Sequence, residues 1–234
     1  GNAFNGVPGR AEGFSSLRMV GGTLVVEFEF RSHSLSLGDY ATVTSTQENE
    51  TGYDYPAHAD LVIAGLDPDT GQWSWHMHAG HAYGSFSPKH QVDGDGNMYF
   101  AFVAGEWGGW DSVEDWSANL FGEVVTADRN QSIRLFKFDS EGNHLWNLTV
   151  DSQGEDTYPK FLVTEEGDVY LTGSWYATAQ GETLQIGTTS FTALDDAHDI
   201  FLAKATSDGQ WAWAELVTGT HCGSWDCDGN LGND

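Results

Sequence analysis

Residues 199–213 are DIFLAKATSDGQWAW, an apolar run, a short turn with Asp and Gly, and a second run that carries two tryptophans. The same pattern occurs twice earlier in the chain, as DLVIAGLDPDTGQWSW at 60–75 and SIRLFKFDSEGNHLW at 132–146. The final tryptophans recur 71 and 67 residues apart, at Trp75, Trp146 and Trp213. Self-similarity at a nearly constant spacing is the mark of a repeat architecture.

A second landmark keeps the same period. Glycine-led apolar runs start 74 and 71 residues apart, as GTLVVEFEF at 22–30, GNMYFAF at 96–102 and GDVYLTG at 167–173. A short apolar piece precedes each of them. β-Branched and aromatic residues dominate these runs, so each repeat is predicted to hold four β-strands. The predicted strands are 17–20, 24–30, 60–66 and 72–78, then 89–92, 97–103, 132–138 and 143–150, then 160–163, 168–175, 199–205 and 210–217.

Each repeat also carries an insertion between its second and third strands. The insertions contain similar segments, LSLGDYATVT at 35–44, LFGEVVT at 120–126 and LQIGTTSFT at 184–192. Two apolar runs around a glycine-containing turn are typical of a hairpin. One extra β-hairpin per repeat is therefore predicted.

Together these runs and turns resemble the bacterial and archaeal β-propeller repeats known as SBBP repeats. The closest matches are DIFLAK…SDGQWAW and GDVYLTGSW, and the resemblance covers residues 14–218. It implies an all-β, β-propeller-like fold of three tandem four-stranded antiparallel blades in a single domain over 1–234. The repeat units are about 14–80, 86–152 and 157–218, followed by an acidic tail at 219–234. The residues that carry the resemblance are turn and core residues, so the resemblance gives no information about activity.

Three blades do not close a ring, because propellers contain about four to eight. One expectation is a homodimer that completes a six-bladed ring, since open blade faces invite pairing. Another is that the chain is a fragment of a longer repeat array. An open stack is the third alternative.

The charge balance excludes several classes of partner. The chain has 35 Asp and Glu against 9 Lys and Arg, a formal net charge of −26. Nucleic-acid recognition needs a cationic face, so no nucleic acid is expected as partner. No apolar stretch approaches the ~18 residues of a membrane span, so no membrane insertion is expected. The acidity and a predicted disulfide between Cys222 and Cys227 favour an extracellular or cell-surface location.

The long connections are expected at one end of the strands. In an antiparallel meander the connections between second and third strands emerge opposite the tight turns, and binding sites are commonly formed by such loops. The second insertion contains EWGGWDSVEDW at 106–116. Its indoles could stack on a sugar as ligand-binding residues: Trp107, Trp110 and Trp116. The alternative is that they cover the insertion's own small core.

Oxygen donors suggest Ca²⁺ as a cofactor. In the tail, Asp226, Asp228 and Asn230 alternate as the ligands of calcium loops do; the alternative is a solvated acidic terminus. The turn at 93–97 has the same alternation, which its role as a repeat turn already explains. Histidines such as His76 and His78 would suit zinc, but their spacing matches no closed zinc motif.

No catalytic signature accompanies these features. The sequence lacks the motifs of nucleophile elbows, phosphate-binding loops and zinc proteases, so the prediction for catalytic residues is that there are none. The leading hypothesis is a non-enzymatic extracellular or surface module that binds a glycan or protein partner through its long-loop face. The alternatives are a structural repeat without ligand and a polysaccharide-active enzyme.

Overall fold

The fold consists of β-strands in all the parts of the chain that are described. The computed structural model describes residues 13–30, 32–45, 59–83, 90–104, 116–127, 132–177, 180–194 and 198–218. These residues contain eighteen strands and no helix. The predicted all-β class is confirmed. No helix long and apolar enough to cross a bilayer occurs in this described part.

Each repeat unit contributes six strands in the same order. The first unit contains β1 (Gly13–Val20), β2 (Thr23–Phe30), β3 (Ser34–Leu37), β4 (Ala41–Thr44), β5 (Ala59–Leu66) and β6 (Trp73–Tyr83). The second contains β7 (Gln91–Val92), β8 (Met98–Ala104), β9 (Trp116–Leu120), β10 (Glu123–Ala127), β11 (Ser132–Phe138) and β12 (His144–Ser152). The third contains β13 (Glu155–Val163), β14 (Val169–Tyr176), β15 (Thr183–Ile186), β16 (Thr189–Thr192), β17 (His198–Ala205) and β18 (Trp211–Val217).

Four strands of each unit form an antiparallel meander. The pairing orders are β1-β2-β5-β6, β7-β8-β11-β12 and β13-β14-β17-β18. The remaining strands pair as β3-β4, β9-β10 and β15-β16, so a hairpin is present in all three insertions as predicted. Because successive side chains point to opposite sides of a strand, each meander has two faces.

Two of the hairpins bind the preceding unit rather than remaining separate. Leu120 of β9 pairs with Ala79 of β6, and Ile186 of β15 pairs with Val150 of β12. Residues at the ends of β6 and β8 also pair, so ten strands of the first two units and the β15–β16 hairpin of the third form one twelve-stranded sheet. The prediction of separate four-stranded sheets therefore holds only for the third unit. In the first two units, the edge pairings satisfy backbone N–H and C=O groups that would otherwise be unpaired, and they join the sheets.

The core lies between consecutive units. Here the trailing face of a unit is the sheet face turned toward the following unit, and the leading face is the opposite one. The trailing face of the first unit packs on the leading face of the second around Ile63, Phe100 and Phe136. The trailing face of the second packs in the same way on the third around Leu135 and Trp175. Each boundary is therefore one layer of interdigitated side chains between two sheets.

Several strand boundaries differ from prediction, since β1 begins earlier and β6 ends later than predicted, and at β13 the reason is physical. The first strand of the third unit was predicted over 160–163, beyond Pro159, but β13 already begins at Glu155. The β13–β14 register shifts between Thr157 and Lys160. A bulge tolerates proline because it requires no ladder hydrogen bond there, and the strand therefore continues through Pro159.

Candidate functional site

The tight turn at the start of the second unit is organised by one carboxylate. Asp93 Oδ1 accepts the backbone N–H groups of Asp95 (3.1 Å) and Asn97 (2.8 Å), and its Oδ2 accepts the Asn97 side-chain amide at 2.8 Å. Asp139 closes the tight turn between β11 and β12 through the same contacts with Asn143. The oxygen-rich sequence at 93–97 therefore serves the turn itself.

The Asp93 turn also contributes to the boundary with the third unit. Tyr99 lies 2.9 Å from Asp93 Oδ2 and 3.1 Å from the carbonyl of Gly167, so its hydroxyl can donate to either oxygen. Lys137 Nζ and Trp146 Nε1 both donate to the carbonyl of Ser207, each at 3.1 Å. Two turns of the third unit are thereby held on three side chains of the second.

Glycine is required where these turns approach the second unit. A Cβ on Gly209 would lie 2.7 Å from the Trp146 ring, and one on Gly167 would lie 2.7 Å from the Tyr99 hydroxyl. Lys137 completes the cluster, with its ammonium 3.5 Å from Asp93 and 5.0 Å from the centre of the Tyr99 ring. The geometry is that of a docking contact between sheets, with the Lys137 ammonium lying over the face of the Tyr99 ring.

The pKa values in this cluster follow its hydrogen bonds. Burial opposes ionisation of Asp93, but the hydrogen bonds from Asn97 and Tyr99 and the charge of Lys137 outweigh it and lower the pKa of Asp93. Burial, together with the adjacent Asp93 carboxylate, raises the pKa of Tyr99 far above its ordinary value. Asp93 is therefore an anion and Tyr99 a neutral donor at neutral pH.

A second polar group lies between the first and second units. The Ser16 hydroxyl is 2.6 Å from Glu27 Oε2 and 2.7 Å from His90 Nδ1. The side chains of Glu27 and His90 are almost completely buried. With the imidazole proton on Nδ1, His90 donates to Ser16, which donates to Glu27. Glu27 Oε1 and His90 Nε2 then have no hydrogen-bond partner in the described part of the chain.

This trio does not have the arrangement of a hydrolase. In a catalytic triad the imidazole lies between the hydroxyl and the carboxylate and takes the hydroxyl proton. Here the serine hydroxyl lies between the other two groups, and its proton points to Glu27. The arrangement connects β1 and β2 to the segment that precedes β7, which is a structural task.

The opposite end of the strands carries a different set of residues. Asp60, at the start of β5, lies 3.0 Å from His78 Nε2. At the same end of the third unit, the ring of Tyr176 stacks on the exposed His198 with centroids 4.5 Å apart. All the connections between second and third strands begin and end here.

Most of the predicted site residues lie outside the part of the chain that the structure describes. Trp116 is the first residue of β9 at the long-connection end. The others lie outside the described residues: Trp107, Trp110, Asp226, Asp228, Asn230, Cys222 and Cys227. Within the described ranges no three His, Cys, Asp or Glu side chains are grouped as a metal site requires. The calcium prediction and the predicted disulfide remain predictions.

Sequence reasoning missed both boundary groups. In GTLVVEFEF, Glu27 lies on the side of the strand that carries the acidic residues. Acidic residues on one side of a strand usually indicate a face exposed to solvent. That side is the trailing face, and burial follows from the packing of a whole unit on it. The Asp93–Tyr99 pair could have been predicted from the sequence, because Asp93 lies in a tight turn and Tyr99 lies in the strand that follows this turn.

Comparison with known proteins leaves the question of function to the chain's own residues. No protein-family model matches the chain, and no curated protein matches it as a relative. The propeller-repeat resemblance therefore stays a prediction, and the function has to be inferred from geometry and composition.

Proposed function

We propose that this chain is a non-enzymatic extracellular or cell-surface module that binds a glycan or protein partner through the end where its long connections lie. The observation that carries this proposal is the contrast between the two ends of the strands. At the tight-turn end, Tyr99, Lys137 and Trp146 are used in holding one unit on the next. The opposite end carries the length variation and the stack of the partly buried Tyr176 ring on the exposed His198.

Aromatic residues at this end favour a glycan as the partner. Tyr176 and His198 form one ring stack there, and Trp116 begins β9 at the same end. Trp107 and Trp110 belong to the connection that leads into β9. Flat apolar rings stack on the C–H faces of sugars while their polar edges bond the hydroxyls. The acidity of the chain favours neutral or cationic partners over anionic ones.

The test is a glycan-array screen of the full chain, followed by titration calorimetry with the glycan that binds. The variant with Trp107→Ala and Trp110→Ala should lose at least tenfold in affinity. The matched control is Tyr40→Ala, because Tyr40 is an exposed aromatic residue in the β3–β4 turn and contacts His76. Unchanged affinity in the double tryptophan variant, or equal loss in the control, would remove the glycan proposal.

The propeller arrangement and the calcium site belong to the same proposal. We propose that the three units are blades and that Asp226, Asp228 and Asn230 hold Ca²⁺ in the acidic tail. A bound cation stabilises the folded chain by mass action. Removal of Ca²⁺ with a chelator should lower the melting temperature, and the Asp226→Asn/Asp228→Asn variant should melt at one temperature with or without chelator.

A further inference from the structure

The trailing face of the third unit is an apolar surface on which no other unit of the described chain packs. Ile200, Leu202 and Val217 are exposed by 52%, 41% and 60%. Register places all three on one side of the β17–β18 pair together with Trp213. Their counterparts in the second unit are fully buried against the third: Ile133, Leu135 and Val150, each at 0%. The third unit thus repeats a docking face whose partner is missing from the described chain.

The polar part of the docking contact is also repeated. Lys204 lies 5.7 Å from the centre of the Tyr170 ring, and that ring lies 6.2 Å from Trp213. The positions correspond to those of Lys137, Tyr99 and Trp146 in the second unit. There, Lys137 and Trp146 donate to the carbonyl of a turn in the following unit. Here Lys204 pairs with Asp168 at 2.6 Å, and Trp213 is 39% exposed.

The first unit presents the complementary surface. Leu17 and Met19 on its leading face are 55% and 53% exposed. The equivalent residues of the third unit, Phe161 and Val163, pack against the second unit. Seven of the ten exposed large apolar residues in the described chain belong to these two faces: Leu17, Met19, Leu162, Ile200, Leu202, Trp213 and Val217.

The turn of the first unit fits the same role. In the second and third units, the glycine of the turn before the last strand lies against a tryptophan of the preceding unit. A Cβ on Gly142 would be 3.1 Å from Trp75, and one on Gly209 would be 2.7 Å from Trp146. Around Gly71, the equivalent glycine of the first unit, no atom of the described residues lies within 4 Å of such a Cβ.

We propose that a second copy of this chain docks the leading face of its first unit on the trailing face of the third unit. The contact continues the boundary that the chain already forms twice. The pairs Ala79–Leu120 and Val150–Ile186 occupy equivalent positions, so the hairpins of the second and third units pair with the preceding unit in the same register. The same register places Val217 of one copy opposite Leu37 of the other. The turn of Gly71 then lies on Trp213.

Two such contacts join two chains into one closed set of six units. The contact is heterologous, since a leading face meets a trailing face, and it closes when the rotation between copies is a half-turn. Six units lie within the range at which propellers close. This inference does not depend on the proposed binding function, because it uses the faces of the units and leaves the long-connection end free.

The test is the mass of the full chain in solution, at ~0.15 M salt so that the net charge of −26 is screened. The wild-type chain should have twice the 25.5 kDa of one copy. Ile200→Ser/Val217→Ser should give the mass of one chain and keep the fold, because both side chains are already half exposed within one copy. The matched control is Leu145→Ser, 48% exposed in the second unit, whose two faces are both covered.

Complementation distinguishes the proposed contact from other dimers. Leu17→Ser/Met19→Ser alters the leading face and should also give single chains. Mixing the leading-face and trailing-face variants restores one unaltered contact per pair, so the mixture should again form two-chain species. A wild-type chain at the mass of one copy would overturn the proposal. A leading-face variant that stays paired, or a mixture that stays single, would overturn it as well.

Discussion

The two boundaries between units are built from different chemistry on the same framework. At the first boundary the second unit presents stacked phenylalanines, with Phe102 and Phe136 parallel at 5.6 Å between centroids. Its buried polar group leaves two atoms without a partner in the described chain. At the second boundary the apolar contacts are mainly aliphatic, and hydrogen bonds from Tyr99, Lys137 and Trp146 cross to the next unit.

The difference indicates what each boundary depends on. Stacked rings contribute free energy through buried area and tolerate small rotations of one sheet on the other. Hydrogen bonds to turn carbonyls fix the orientation, since their strength depends on angle. The first boundary should therefore be sensitive to lost volume and the second to lost polar partners.

The largest effect is expected from neighbouring residues on β11. Phe136 faces the first unit and Leu135 faces the third, and both are fully buried. Phe136→Ala should lower the free energy of unfolding by about 4 kcal/mol, through lost transfer energy and a cavity. Leu135→Ala should lower it by about 3 kcal/mol. Urea denaturation measures both, and a larger loss for Leu135→Ala would contradict the volume argument.

Loss of one hydroxyl should affect the second boundary next. Tyr99→Phe keeps the ring between the units but removes the donor to Asp93 and to the Gly167 carbonyl. Because the boundary loses one buried hydrogen bond, the free energy of unfolding should fall by about 1–2 kcal/mol. Tyr40→Phe is the control, since Tyr40 is exposed. Equal stability of Tyr99→Phe and wild type would show that the hydroxyl does not hold the boundary.

The acid dependence of stability has a definite sign at the same boundary. Folding lowers the pKa of Asp93 below 3.8. The stabilisation is therefore complete above that value and is lost as the pH falls through the lower folded pKa. Other carboxylates titrate in the same range, so the comparison is with Asp93→Asn. Between pH 5 and pH 3 the variant should lose less unfolding free energy than wild type. Parallel losses would place the acid sensitivity elsewhere.

The strands and hairpins could be predicted because their signals are local. Alternating apolar residues and turn glycines specify a strand and its reversal within a few residues, as LQIGTTSFT does for β15 and β16. The partner of that hairpin could not be predicted, because β12 belongs to the preceding unit and its edge carries no local mark. Glu27 was missed for the same reason, since its companion His90 is 63 residues away in the sequence.

The smallest effect is expected at the polar group of the first boundary. Glu27→Gln keeps an acceptor for the Ser16 hydroxyl and removes the buried carboxylate charge. In the wild-type chain, Glu27 Oε1 has no partner among the described residues. An uncompensated buried charge costs free energy, so the amide should change the free energy of unfolding by less than about 1 kcal/mol in either direction.

Urea denaturation at neutral pH, with Glu166→Gln in an exposed turn as the control, measures this effect. A loss above about 2 kcal/mol in Glu27→Gln alone would mean that the carboxylate charge holds the first boundary. In that case the two boundaries would both depend on polar contacts, and the contrast between a boundary held by volume and one held by orientation would fail.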